Sequence, residues 1–118
     1  MSLYHSTIKS FPYAISGLKI ALKREPNIKV HLFVATIAII LAIFLKFSPT
    51  EWILLTITIT IVIVLELINT AIEAIVNLVS PEIKDEAKVA KDVSAAAVLI
   101  ASLASVFIGI FLFLSKIL

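Results

Sequence analysis

Cysteine is absent from the chain, which excludes disulfides and thiolate metal sites. Glycine occurs only at Gly17 and Gly109. A phosphate-cradling loop of the Walker or protein-kinase type needs several glycines together, so any nucleotide must be held another way. Charge is also scarce: 15% of the 118 residues are Asp, Glu, Lys or Arg, where a soluble domain carries about a quarter. What fills the space is apolar. A hydrophobic fraction of 61% and a mean hydropathy of +1.15 mark a small integral membrane protein.

The apolar residues fall into three blocks, 28–47, 52–79 and 93–114, each near or above the ~20 residues that a bilayer core requires. The first block is not expected to be a cleaved signal peptide, because a basic amphipathic stretch precedes it and no small-residue cleavage site follows it. In that leading stretch Ile8, Phe11, Ile15, Leu18 and Leu22 recur at helical steps, while Lys9, Ser16, Lys19 and Lys23 lie off the stripe. Pro12 is expected to start or kink this helix, Pro26 to break the path before the first span, and Pro81 to end the second. Trp52 takes the place of an interfacial anchor after a short loop, which makes the first two spans antiparallel neighbours. The expected fold is therefore one all-α membrane domain over 1–118. It has a surface helix at 1–25 and membrane helices at 28–47, 52–79 and 86–117. Basic residues concentrate before the first span and in the second link (Lys84, Lys88, Lys91), so those segments are expected to be cytoplasmic and the C-terminus outside. Small residues Ala97, Ala101, Ser105 and Gly109 form a packing stripe on the last span.

Against this apolar background one run departs from the rule. Glu66, Asn69, Glu73 and Asn77 fall within roughly 80° of one another on a helix, on one face of an otherwise aliphatic span. A charged residue at the centre of a membrane helix costs about 2.5–3.5 kcal/mol even on lenient insertion scales, so such residues normally face a protein interior and carry function. Counting from Trp52, Glu73 lies near the cytoplasmic interface and Glu66 about 10 Å deeper. Glu25, Lys91 and Asp92 reach the same interface. Glu25 is open to two readings, a surface partner of Arg24 or Lys29, or a site acid; His31 is a catalytic base or a headgroup and packing residue. Glu82 to Lys88 reads as a solvated, salt-bridged helix start.

This constellation suits transfer of a phosphoryl group to a lipid head. Glu25 and Glu73 can hold Mg²⁺ while nucleotide phosphates and waters complete its shell. Lys91 can neutralise phosphate charge and Asp92 orient it, while the desolvated Glu66 is placed to accept the proton of a lipid hydroxyl. In-line phosphoryl transfer asks mostly for positioning and charge neutralisation, so a few groups suffice.

Through Glu66-Leu-Ile-Asn69-Thr-Ala-Ile-Glu73-Ala, through Ala90-Lys91-Asp92 followed by small residues and Val98-Leu99-Ile100, and through Gly17-Leu18 to Glu25, the chain resembles the prokaryotic integral-membrane diacylglycerol kinase family, which includes undecaprenol kinases. The resemblance covers nearly the whole chain. It implies a homotrimer with sites shared between protomers, ATP as phosphoryl donor and Mg²⁺ as cofactor, in phospholipid or cell-wall lipid-carrier metabolism. By position it implies Glu66 as the base, Glu25 and Glu73 as magnesium ligands, and Asn69 and Ala95 with Glu66 on the lipid side. Tyr13, Glu25, Glu73, Glu82, Ile83, Lys84, Lys91 and Asp92 would line the nucleotide. The chain departs from the family pattern at Asn77, where an aspartate is common, and at Ala97, often glycine. The run from Glu25 to His31 looks like the Gram-positive-type branch and tilts the expected acceptor slightly toward undecaprenol.

Two other classes compete with a kinase. A small proton or ion conductor needs acids across the full membrane thickness, and the outer half holds none beyond Glu51 at its edge. A non-enzymatic assembly subunit leaves Glu66 and Glu73 unexplained. No nucleic-acid role fits, since the basic residues line a membrane interface.

Overall fold

The computed structural model describes residues 7–80, 82 and 84–118, and all regular structure among them is helical. Four helices follow in order: α1 Thr7–Arg24, α2 Pro26–Phe44, α3 Pro49–Val79 and α4 Asp85–Ile117. The last three are long and apolar enough to cross a membrane. Residues 1–6 of the expected surface helix lie outside the described residues, as do Pro81 and Ile83.

Proline punctuates the chain with small shifts from expectation. Pro26 and Pro49 open α2 and α3 at the first turn, where a missing N–H costs nothing. The spans therefore begin earlier than the apolar blocks at 28 and 52 suggested. Pro12 neither starts α1 nor ends it, because the helix already runs from Thr7 and continues to Arg24. α2 closes at Phe44 instead of residue 47, since Lys46 turns into the left-handed region (φ 54°) and brings Phe47 back against the bundle. Ser48 then caps α3 with a capping box: its hydroxyl accepts from the Glu51 N–H, while the Glu51 carboxylate accepts from the Ser48 N–H at 2.9 Å.

α3 packs chiefly on α4, with α2 along its other side and α1 against both α2 and α3. The protein core is a narrow seam, not a globule. On α2 the buried residues Ile28, Ala35 and Ala42 repeat every seventh position; on α3 Leu55, Val62 and Asn69 do the same. At the loop end Ala42, Phe47, Leu55 and Leu112 close the seam, with Phe47 edge-on to Trp52 (ring centroids 5.9 Å apart) and 5.1 Å from Phe113. The Lys116 ammonium, 3.0 Å from Glu51, ties the end of α4 to the start of α3. Thr58 returns its hydroxyl to the Leu54 carbonyl at 2.7 Å, a structural use of a membrane threonine. Most other apolar side chains, such as Phe33, Phe44, Phe107 and Phe111, face outward, as expected of surface covered by lipid or by other subunits. The small-residue stripe of α4 is only partly used within the chain. Ala101 and Ser105 are half-buried, Ala97 is exposed, and a Cβ added at Gly109 would meet no atom within 4 Å.

Candidate active site

Helical periodicity places the polar run of α3 on the seam. Glu66 is only 2% exposed, Asn69 and Thr70 are also buried, and Glu73 stands two turns from Glu66 toward the end of the helix. Glu66, Asn69 and Thr70 are the polar and charged side chains buried on α3 among the described residues, and Glu73 is half-buried. Each has a different set of partners. Thr70 donates its hydroxyl to the Glu66 carbonyl at 3.0 Å and so spends its polar group on the backbone. Asn69 donates from Nδ2 to Glu73 Oε1 at 3.3 Å and accepts at Oδ1 from the Ser94 hydroxyl of α4 at 2.6 Å. The carboxylate of Glu66 has neither. Its Oε1 lies 3.2 Å from Nε2 of His31 on α2, within ion-pair distance, and is buried without a hydrogen-bond partner.

Glu25 occupies the N-cap position of α2, but its side chain does not cap the helix. It is turned instead toward Glu73. Glu25 and Glu73 line an open cavity of about 210 Å³ together with Arg24, Thr70, Ala74 and Asn77. Partial burial, followed by the facing Glu73 carboxyl and the charge of Glu66, pushes the Glu25 carboxyl above its ordinary value, and Arg24 offsets this in part. Two acids facing each other make a place where a cation gains on both sides. The donor set fits a hard ion: two carboxylates, with no group of three or more His, Asp or Glu that could close a full protein cage among the described residues. Magnesium usually takes one or two carboxylates and leaves the rest of its shell to phosphates and water. Asn77, in a position where an acid would have added a third carboxylate, supplies only a neutral wall.

The polar cavity shares Arg24, Thr70 and Ala74 with a larger apolar one of about 560 Å³ between α1 and α3, lined also by Gly17, Leu18 and Leu67. An open polar chamber thus adjoins an apolar one, with Arg24 at their junction.

Other expected residues are spread more widely. Lys91 sits on α4 one turn before Ser94, and the Ser94–Asn69 bond sets the two helices so that Lys91 stands level with Glu73; its carbonyl also accepts from Ser94 at 3.0 Å. The Asp92 carboxylate is taken by Lys88 at 2.6 Å, one turn away on an exposed face. Lys84 occupies the N-cap position of α4 without a side-chain capping bond and lines a separate cavity of about 400 Å³ with Ser80 and Glu86. Glu82 is exposed in the link, where its carbonyl accepts from the Ser80 hydroxyl at 2.7 Å. Tyr13 is exposed on α1, and Ala95 is exposed on α4. The chain by itself therefore joins Glu25, Glu66, Asn69, Glu73 and Lys91 at one end of the bundle, while Glu82 lies in the link, Lys84 lines a separate cavity and Asp92 pairs with Lys88. Two residues were not picked out as site members by sequence: Ser94, which resembles any small residue of the packing run, and Arg24, which reads as one more interfacial base.

The family model for prokaryotic diacylglycerol kinase matches residues 12–113. The chain is 38% identical over 101 residues to the diacylglycerol kinase of Synechocystis sp., covering 85% of this chain and 58% of that longer protein. It is 35% identical over 108 residues to the undecaprenol kinase of Bacillus subtilis, covering 92% of this chain and 88% of the relative. With the diacylglycerol kinase of Escherichia coli it shares 31% identity over 99 residues, 84% of this chain and 81% of the relative.

Proposed function

The chain belongs to the prokaryotic diacylglycerol kinase family, and on that footing we propose that it is a membrane lipid kinase, transferring the γ-phosphoryl group of ATP to the hydroxyl of an undecaprenol or diacylglycerol acceptor. The observation that carries this reading is the buried Glu66 carboxylate, one of whose oxygens has no hydrogen-bond partner. A lipid hydroxyl is anchored at the depth of its headgroup, and a base for it must sit within the membrane boundary beside the phosphate-facing acids. Glu66 meets that requirement two turns below Glu73.

In the proposed reaction Glu66 takes the hydroxyl proton as the oxygen attacks. Asn69 holds Glu73 by its amide, and Ser94 holds Asn69, so the polar chamber keeps its shape while the nucleotide enters. Lys91 balances phosphate charge from α4, and Arg24 does so from α1. Magnesium, when held by Glu25 and Glu73, supplies charge neutralisation on the nucleotide phosphates. Tyr13, Glu82, Ile83, Lys84 and Asp92 complete the nucleotide site, and Ala95 the acceptor side, in an assembly of three copies whose neighbours bring these residues to the cavity. The separation of Lys84 and Asp92 from Glu73 within one chain supports an assembled site. The N-terminus and second link face the cytoplasm, where ATP is found, and α1 rests on that membrane surface.

The test is ATP-dependent phosphorylation in mixed micelles with undecaprenol and diacylglycerol offered in parallel. Magnesium-dependent labelling of either lipid supports the kinase, and the higher kcat/KM names the acceptor; undecaprenol is expected to lead. Labelling of neither lipid rejects the proposal.

A further inference from the structure

We propose that His31 is the positioning residue of Glu66: it holds the buried carboxylate oriented as a base and takes over the proton that Glu66 removes from the lipid hydroxyl. This rests on the lipid kinase reading above.

Every other polar group around Glu66 on α3 is committed elsewhere: Thr70 to the Glu66 carbonyl, and Asn69 to Glu73 and Ser94. The Nε2 of His31, 3.2 Å from Oε1, is the basic group set against the carboxylate. This placement follows from helix register. Pro26 starts α2 immediately after Glu25, and α2 runs antiparallel to α3. A step of a turn and a half from Glu25 to His31 is therefore matched by two turns back along α3 from Glu73 to Glu66. Glu25 faces Glu73 across the seam, and His31 faces Glu66 across the same seam one level deeper. Below His31 the seam is lined mostly by apolar residues, Ala35, Ala38, Ile59 and Val62 among them, around a small cavity that His31 itself borders.

Exposure sets the direction of the proton. The Glu66 side chain is 2% exposed and that of His31 28%, so of the two the imidazole is the more accessible from outside the seam. The lipid oxygen forms its bond to the γ-phosphorus while its O–H bond breaks; the bond from that phosphorus to the bridging oxygen breaks, and ADP leaves with the electron pair. The proton goes to Glu66, then to Nε2 of His31, which accepts it while Nδ1 carries the ring N–H, then out to water. The base is thereby reset without opening the buried carboxylate to solvent.

Three variants test this in mixed micelles, each first shown to keep wild-type helicity and oligomeric size. His31→Gln and His31→Leu are expected to lower kcat about 10- to 100-fold with the KM for ATP unchanged. His31→Ala is expected to regain activity on addition of millimolar imidazole. An unchanged kcat with a raised KM for lipid, and no rescue, would show His31 to be a headgroup contact only and overturn the proposal. A readout free of activity is the nitrogen NMR spectrum of the His31 ring, with His5→Ala removing the other histidine. The ring signals are expected to shift in Glu66→Gln, and signals that stay in place overturn the pairing. Should the wild type phosphorylate no lipid, the kinase reading fails while the ring shift still decides whether the two side chains are coupled.

Discussion

The Ser94 hydroxyl of α4 donates to Oδ1 of Asn69 on α3 at 2.6 Å, and through the Asn69 amide it reaches Glu73. One serine thus connects the packing surface of the last helix to an acid of the candidate site. In Ser94→Ala the Asn69 oxygen is left buried without this donor. The expected loss of stability is about 1 kcal/mol, between the ~0.6 kcal/mol average for interhelical bonds in membranes and the upper end of about 3 kcal/mol for an orphaned buried acceptor. Because Glu73 is held only through Asn69 in this chain of bonds, kcat/KM should fall with it. A double-mutant cycle with Asn69→Ala should show clear non-additivity; additive effects on unfolding in detergent would mean that the bond carries no coupling.

Glu25 makes a prediction with a defined sign. Its carboxyl is raised by burial and by the facing Glu73, so the charged form is disfavoured in the folded protein. A group raised in this way contributes stability that is full below its unfolded value and is lost as pH rises through its folded value. In metal-free micelles Glu25→Gln, which mimics the protonated acid, should therefore raise Tm at pH 7 and leave it unchanged near pH 4. The same substitution should weaken the dependence of activity on magnesium, since one of two facing carboxylates is gone. A lower Tm at pH 7 would contradict the opposition of the two acids.

At the loop end the aromatic contacts should outweigh the ion pair. Phe47 is buried between Trp52 and Phe113, so Phe47→Ala should cost about 3–5 kcal/mol. The Lys116–Glu51 pair is partly exposed, and Lys116→Ala should cost no more than about 1 kcal/mol. Neither change lies near Glu66, so the kcat of the folded protein should stay at the wild-type level. Thermal unfolding and turnover of the purified variants check both statements.

Much of this architecture was legible because the signals lie within single helices. Length and hydropathy mark three spans, Pro26 marks the break before the first of them, and the three- and four-residue steps from Glu66 to Asn77 place four polar groups on one face before any packing is known. Boundaries moved where local chemistry overrode hydropathy: Ser48 and Glu51 form a capping box that starts α3 before Trp52, and the left-handed Lys46 ends α2 early. The relations between helices were not legible. That His31 meets Glu66 and that Ser94 meets Asn69 depends on the register of antiparallel neighbours, which a sequence specifies only through the whole seam. The pairing of Asp92 with Lys88 likewise follows from an ordinary i, i+4 step that competes with any role at the site.

The central claim is that Glu66 is the base, and Glu66→Gln tests it most directly because the side chain keeps its shape and loses its basicity. Turnover of lipid in mixed micelles should be measured beside equilibrium binding of a non-hydrolysable ATP analogue. The account predicts a loss of about 10²- to 10⁴-fold in kcat with nucleotide affinity retained. Wild-type turnover in Glu66→Gln, or a loss explained wholly by weaker nucleotide binding, would contradict it.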